Sequence, residues 1–355
     1  MMTDLILKRE EQAVFALRSL YRRYGYVPYK MSRFEEYDLY VRNKDFLVSD
    51  QIITFSGNGG RLLALKPDVT LSIVKNAPEA PGVVQKVYYN ENVYRDYREI
   101  MQAGLECVGD LGNYEIAEVV LLAVKSLQLL GDRFVLDLSH MGLLTAILDS
   151  CGFDGKQKKQ AMEHLRRKNA HDLKKLCPAD CRAKLETVLS CHGGREALEA
   201  VRGVLTTEEE RQALEELERL WETLETNGCV GSVRLDFSVS NSMGYYSGVV
   251  FRGYLEGIPA SILSGGQYDR LPRKMGRKAK AIGFAIYLDM LQDLHPEENA
   301  FDVDTLILHD GSVDTAALTA VAAEAGKTGS VLVTRQLPED RSWKQLIRFE
   351  KGVRL

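Results

Sequence analysis

The residues best suited to chemistry fall in three stretches. Asp68 and Thr70 lie beside Pro67. Gln102 and Glu106 lie in Arg98-Glu99-Ile100-Met101-Gln102-Ala103-Gly104-Leu105-Glu106. Tyr245, Tyr246 and Tyr268 flank a Ser264-Gly265-Gly266 segment. Carboxylates, an amide oxygen and hydroxyls accept hydrogen bonds from an ammonium group, and a carboxylate with a tyrosine hydroxyl suits a ring N–H. Gathered together, these side chains make a small polar pocket, and Gly265 and Gly266 let the backbone pass close to a ligand. Taken one at a time they have a plainer reading, with Gln102 and Glu106 on an exposed strand face and the tyrosines in the core.

Two further groups carry charge or sulfur. Arg95 and Arg98 are candidates for holding an anion, and Arg270, Arg273, Lys274, Arg277, Lys278 and Lys280 form a basic cluster. That cluster suits phosphates, an acidic partner face or simple solvation. Among the 6 cysteines, Cys177, Cys181 and Cys191 lie near His171 and His192. A zinc site needs four converging ligands, but the spacing is not that of paired CxxC motifs, so reduced thiols are the expected state and no metal is assigned.

These groups must be positioned by a sizeable scaffold. The chain has 355 residues, 45% hydrophobic and 27% charged. That is enough for one large or two moderate domains with real cores, and global disorder is not favoured. The net charge of -4 and pI near 6.0 lack the basic excess of a protein that grips nucleic acid over a long footprint. The start, MMTDLILKREEQ, brings acidic residues early, and the apolar run Val119–Val124 is too short to span a bilayer. The cytoplasm is the expected location.

The spacing of Val14, Leu17, Leu20, Tyr21 and Tyr24 predicts a helix over 5–24, stopped by Gly25. Strands are expected at 26–29, 52–55, 62–65 and 85–89, the second pair joined by Ser56-Gly57-Asn58-Gly59-Gly60. A helix is expected over 114–130. From about 151 to 228 the β-branched runs vanish, which predicts an all-helical insertion. Its last helix is capped by Thr207 and Glu210 and carries a Leu214, Leu217, Leu220, Trp221, Leu224 stripe. Strands return at 232–239, 245–254, 260–263 and 281–286. The order strands, helices, strands argues for an α+β fold with a mainly antiparallel sheet flanked by helices. After a linker at 295–299, the tail reads as a small α/β unit with strands at 305–308 and 331–334 and helices at 315–325 and 343–349. The expected domains are 1–298 and 299–355.

Three segments together resemble class II aminoacyl-tRNA synthetases, and among them the histidyl enzyme. Leu65-Lys66-Pro67-Asp68-Val69-Thr70 is similar to that family's Leu-Arg-Pro-Glu-Gly-Thr. Val93-Tyr94-Arg95 with Arg98–Glu106 resembles motif 2. The third runs through Tyr245-Tyr246-Ser247-Gly248-Val249-Val250-Phe251, Ser264-Gly265-Gly266-Gln267-Tyr268-Asp269 and Ala281-Ile282-Gly283-Phe284-Ala285-Ile286. It resembles the histidine-specific motif, a glycine turn and motif 3. The resemblance spans about residues 10–295. It implies a histidine pocket in which Asp68, Thr70 and Gln102 meet the ammonium, Glu106 accepts from the imidazole, and Tyr245, Tyr246 and Tyr268 stand nearby. It also implies a dimer formed through the first helix and the following strand, with the apolar face around Leu17 and Tyr21 packing either there or within the chain.

The departures matter as much. Joining histidine to ATP brings two anions together, and preorganised cations must hold them. The family draws arginines from motif 2, from the histidine-specific motif and from motif 3. Here Arg95 keeps the first, whereas Asn241 and Met290 stand at the other two positions. The loop between Arg95 and Arg98 is several residues short, and the tail is about half of a synthetase anticodon-binding domain. Arg252 is the neighbouring cation that compensates if any does. Losing one such donor typically costs about 10²–10³ in rate, so activation should be abolished. A synthetase-like core without catalytic cations resembles the regulatory subunit of ATP phosphoribosyltransferase. That resemblance implies a non-catalytic chain that acts with a short-form catalytic subunit in the first step of histidine biosynthesis. It also implies L-histidine as the sensed ligand, a larger hetero-oligomer and no cofactor. A divergent histidyl-tRNA synthetase and a tRNA-binding pseudo-synthetase are the alternatives.

Overall fold

The computed structural model describes residues 7–47, 51–239, 245–293, 301–350 and 353–354. The chain divides into two compact units, residues 1–293 and 294–355. The expected linker at 295–299 lies outside the described residues.

The first unit is built on a sheet of nine strands among the described residues. In spatial order they are Val27–Pro28, Val84–Arg95, Arg98–Gly109, Lys280–Tyr287, Leu263–Gln267, Val249–Leu255, Phe134–His140, Val233–Asp236 and His192–Gly193. Neighbours run antiparallel except Val27–Pro28 beside Val84–Arg95, and Phe134–His140 beside Val233–Asp236. This is the mainly antiparallel α+β arrangement expected from the order of elements.

The long central hairpin turns on Asp96 and Tyr97, whose φ angles are 50° and 60°, with Arg95 paired to Arg98 across the turn. Two successive left-handed residues make a turn whose twist matches that of the flanking strands, and they normally call for Asn-Gly. The shortened motif 2 loop is therefore a bare hairpin turn.

One face of the sheet is covered by helices Arg9–Arg23 and Asn113–Leu130. Leu17, Leu20 and Tyr21 of the first, and Val119, Val120, Ala123, Val124 and Leu127 of the second, are buried. The Tyr21 hydroxyl meets Ser126 Oγ at 3.0 Å, and its ring meets Phe284 edge-on at 6.1 Å between centroids. Leu17 and Tyr21 are thus consumed inside the chain. The opposite face carries a second layer: a three-stranded sheet (Phe34–Glu36, Leu62–Leu65, Thr54–Ser56) and helix Thr70–Asn76. Their apolar residues, among them Ala64, Ile73 and Val74, join Val87, Tyr89 and Val108 of the main sheet in one core.

The insertion contains helices Gly155–Arg166, Ala170–Leu176, Arg182–Ser190, Arg195–Arg202 and Glu208–Thr226. It is not wholly helical, because His192–Gly193 adds an edge strand beside Val233–Asp236. Glu210 N donates to Thr207 Oγ1 at 3.3 Å and Thr207 N to Glu210 Oε2 at 3.0 Å, and the whole leucine–tryptophan stripe is buried. The buried Lys184 ammonium binds Glu210 at 2.6 Å, Thr206 at 2.7 Å and Ser150 at 3.1 Å. A buried ion pair holds only when its remaining groups are hydrogen-bonded in this way.

Several sequence expectations shift. The strand expected from Tyr245 begins at Val249, and the strand expected at 52–55 is Thr54–Ser56. The supposed glycine turn, Ser264-Gly265-Gly266, lies inside the Leu263–Gln267 strand, so the strand expected at 260–263 begins only at Leu263 and runs on to Gln267. Crowding explains the glycines: a Cβ on Gly265 would stand 2.4 Å from Phe284 Cβ, and one on Gly266 2.8 Å from the Tyr246 ring. In the second unit, Val303–His309 runs parallel to both Val331–Thr334 and Trp343–Glu350, with helix Thr315–Ala325 packed beside them. The helix expected over 343–349 is a strand. Ile347 and Phe349 alternate inward with Arg348 and Glu350 outward, and pairing with Val303–His309 satisfies the backbone.

Candidate functional site

The second layer does not close completely over the sheet, and a cavity of about 610 Å³ remains between them. Asp68, Thr70, Arg95, Gln102, Glu106, Tyr245, Tyr246 and Tyr268 all line it. Each arrives by a short local rule. Gln102, Gly104 and Glu106 alternate onto one face of their strand, opposite Tyr287, Ala285 and Gly283. Asp68 precedes helix Thr70–Asn76 and its Oδ1 accepts from Leu71 N at 2.8 Å, which fixes the helix start and aims Thr70 inward. Tyr268 follows the Leu263–Gln267 strand and is anchored by Tyr268 N donating to Ala281 O at 2.8 Å.

Glu106 is the centre of the site. It is only 2% exposed. Thr70 Oγ1 donates to its Oε1 at 2.7 Å, and the Tyr268 hydroxyl donates to its Oε2. Burial pushes the Glu106 carboxyl up to about 8, and the charge of Asp68 adds to this against the pull of the two hydrogen bonds. Burial also raises Asp68, whose carboxyl Arg95 partly offsets. Each carboxylate oxygen has room for a further donor beyond the one it holds. The exposed-strand reading of Gln102 and Glu106 is therefore wrong, since both are buried and both face the cavity.

Aromatic rings frame the site. Tyr245 lies 4.6 Å from Tyr246, 5.7 Å from Phe46 and 6.0 Å from Tyr268 between ring centroids. Two buried donors of the lining have no hydrogen-bond partner among the described residues, Arg95 Nε and Gln102 Nε2. Buried polar groups are rarely left so, and both belong to side chains lining the cavity. The Gln102 amide can present either its oxygen or its nitrogen by turning over.

Not every candidate arrives. Arg98 is exposed at the turn and does not line the cavity. Met290 sits in the short turn Leu288–Asp293, away from the lining, and Asn241 lies outside the described residues. The basic cluster is spent largely on anchoring its loop. Lys274 pairs with Asp45 at 2.7 Å, Lys280 Nζ donates to the Leu111 carbonyl at 3.3 Å, and Arg277 donates to the Ala77 and Lys75 carbonyls. Cys177, Cys181 and Cys191 are free, buried thiols, and burial pushes Cys177 and Cys191 each up to about 11. Among the described residues no group of three or more metal-ligating side chains converges.

Sequence reasoning missed Tyr89, Asp45 and Phe46, which also line the cavity. For Tyr89 a signal existed, because even spacing along one strand places it on the same face as Arg95. Asp45 and Phe46 arrive on a single 3₁₀ turn, Lys44–Phe46, too short for a periodic pattern to announce it.

Residues 6–291 match the family model described as histidyl-tRNA synthetase. The ATP phosphoribosyltransferase regulatory subunit of Clostridium kluyveri is 28% identical over 83% of this chain and 80% of its own length. That of Halalkalibacterium halodurans is 32% identical over 69% of this chain and 66% of its own. A crystal structure described as an ATP phosphoribosyltransferase regulatory subunit/histidyl-tRNA synthetase from Bacillus halodurans has a TM-score of 0.77 at 24% identity, covering 96% of this chain and 93% of that one, which is a likeness of fold. The chain belongs to the histidyl-tRNA synthetase family and stands there with the ATP phosphoribosyltransferase regulatory subunits.

Proposed function

We propose that this chain is the non-catalytic regulatory subunit of an ATP phosphoribosyltransferase, working with a short-form catalytic subunit in the first step of histidine biosynthesis, and that its cavity senses L-histidine. The observation that carries the sensing role is Glu106, buried, held by Thr70 and Tyr268, and facing a polar cavity. An imidazole N–H is a donor that a carboxylate so fixed can accept, and a cationic ligand favours this ionised form over the protonated form that burial favours in the empty cavity. Asp68, Thr70 and Gln102 supply acceptors for the ammonium.

The same cavity is poorly equipped for ATP. Its arginines are Arg95 and Arg252. The segment that clasps adenine in the family is here a two-residue turn. The chain therefore reads a ligand and leaves the chemistry to its partner. Regulation follows if histidine binds one global state of the complex better than another. A dimer within a larger hetero-oligomer fits this role. Its contact surface is not the Leu17–Tyr21 face, which is buried within the chain. No helix among the described residues is long and apolar enough to cross a membrane, which fits action in the cytoplasm.

The test is calorimetry with L-histidine on the wild type and on Glu106→Ala, then inhibition curves on the complex reconstituted with the catalytic subunit. Losing a charge-assisted contact costs about 1.5–3 kcal/mol, so affinity should fall at least about tenfold. The mutant complex should keep its activity and lose much of its histidine inhibition. Equal affinities would remove Glu106 from the site. Lost binding with unchanged inhibition would move the sensor to the partner.

A further inference from the structure

We propose that Arg252 anchors the α-carboxylate of the bound amino acid and so makes the cavity select an amino acid over the corresponding amine. This rests on the histidine reading above and extends it to a residue at the opposite wall.

Glu106, Asp68 and Thr70 accept from an imidazole and an ammonium, and a carboxylate must find its cation elsewhere on the lining, where the arginines are Arg95 and Arg252. A carboxylate taken out of water needs a cation. Arg252 meets the requirement. It lines the cavity, is half-buried, and has no ion-pair or hydrogen-bond partner among the described residues. Its cross-strand neighbour Asp137 could have neutralised it. That carboxylate is instead committed to Arg234, which donates to it through both Nε and Nη2.

The sheet register prepares the space between. One row across the ladders reads Gly104, Ala285, Ser264, Arg252. Small side chains make the floor, and Arg252 stands at its end. Ser264 Oγ and the Tyr287 hydroxyl line the same floor and share a hydrogen bond of 3.0 Å, which leaves one of their two protons to donate to a carboxylate beside the guanidinium. The strands of Glu106 and Arg252 are three spacings apart in the sheet order, or about 14 Å. Both side chains line one continuous cavity, so a ligand extended across it can meet the two. Tyr246 lines the same cavity, and both charges act on its hydroxyl.

Arg95 does not compete for this role on the same terms. Its charge acts on Asp68, the carboxylate assigned to the ammonium.

The experiment is calorimetry on the full chain with L-histidine and with histamine, which lacks only the carboxylate. The wild type should bind histidine at least about tenfold tighter than histamine. Arg252→Met should lose that preference, weakening histidine about 10- to 100-fold and leaving histamine unchanged. Arg252→Lys, which keeps the charge, should recover part of it. Arg252→Met binding histidine like the wild type overturns the inference, as does a wild type that binds both ligands equally. Equal weakening of both ligands would make Arg252 a structural residue and also overturn it. In these cases the histidine reading stands. A wild type that binds neither ligand overturns that reading and this inference together.

Discussion

Gly283 lies directly across the ladder from Glu106, and a methyl group placed on Gly283 would stand 1.7 Å from Glu106 Oε2. The same methyl would lie 2.6 Å from the Leu105 carbonyl oxygen. Glycine at this position is what lets a buried carboxylate fold back over the sheet and reach Thr70 and Tyr268. In the neighbouring row, Gly104 serves in the same way, with its missing Cβ 2.6 Å from the Tyr89 hydroxyl.

Gly283→Ala therefore displaces Glu106 while leaving every side chain that could bind a ligand chemically unchanged. Histidine affinity should fall at least as far as in Glu106→Ala. Overpacking in a filled interior typically costs about 1–3 kcal/mol, so the urea midpoint should fall as well. Calorimetry and urea titration read the two effects separately. Wild-type affinity in Gly283→Ala would mean that the Glu106 geometry does not set binding.

Glu106 should also leave a signature in the pH dependence of stability. Its ordinary value of 4.5 rises to about 8 on folding. Between those values the folded chain holds a proton that the unfolded chain has released. Stability therefore declines as pH rises from about 4.5 to about 8. Glu106→Gln removes this contribution, although Asp68, also raised by burial, continues to act in the same direction. Urea unfolding at pH 5 and pH 8 should show a loss in the wild type that exceeds the loss in Glu106→Gln by a few kcal/mol. Identical losses in the two proteins would mean that Glu106 ionises normally.

The Asp96–Tyr97 turn holds two side chains in the left-handed region, at about 1–2 kcal/mol per residue. Tyr97 is 83% exposed and gains nothing from packing. Tyr97→Gly relieves the strain at some cost in unfolded-chain entropy, so it should stabilise the chain by about 1 kcal/mol. The urea midpoint should rise with an unchanged m-value. A lower midpoint would mean that the Tyr97 ring contributes to the fold.

Much of the site was legible in residue types. Asp68, Thr70, Gln102, Glu106 and the three tyrosines carry donors and acceptors that mark a pocket, and strand alternation alone places Gln102 and Glu106 on one face. The helical insertion and the mainly antiparallel sheet followed from periodicity and element order, which are local properties. Three features were decided elsewhere. Residues 343–349 suit a helix locally, but the exposed edge of Val303–His309 offers a ladder of backbone hydrogen bonds that a helix cannot use. Ser264-Gly265-Gly266 looks like a turn by composition, yet these glycines lie mid-strand because Phe284 and Tyr246 occupy the space their side chains would need. Arg95, Arg98 and Arg252 are equivalent as residue types. Register and burial bury the first, expose the second at a turn and leave the third facing the cavity without a partner among the described residues. The sequence by itself determined which groups were available and on which strand face each would fall. Only the tertiary structure decided which of them meet, because meeting depends on strand order across the sheet and on which carboxylates are already neutralised by other cations.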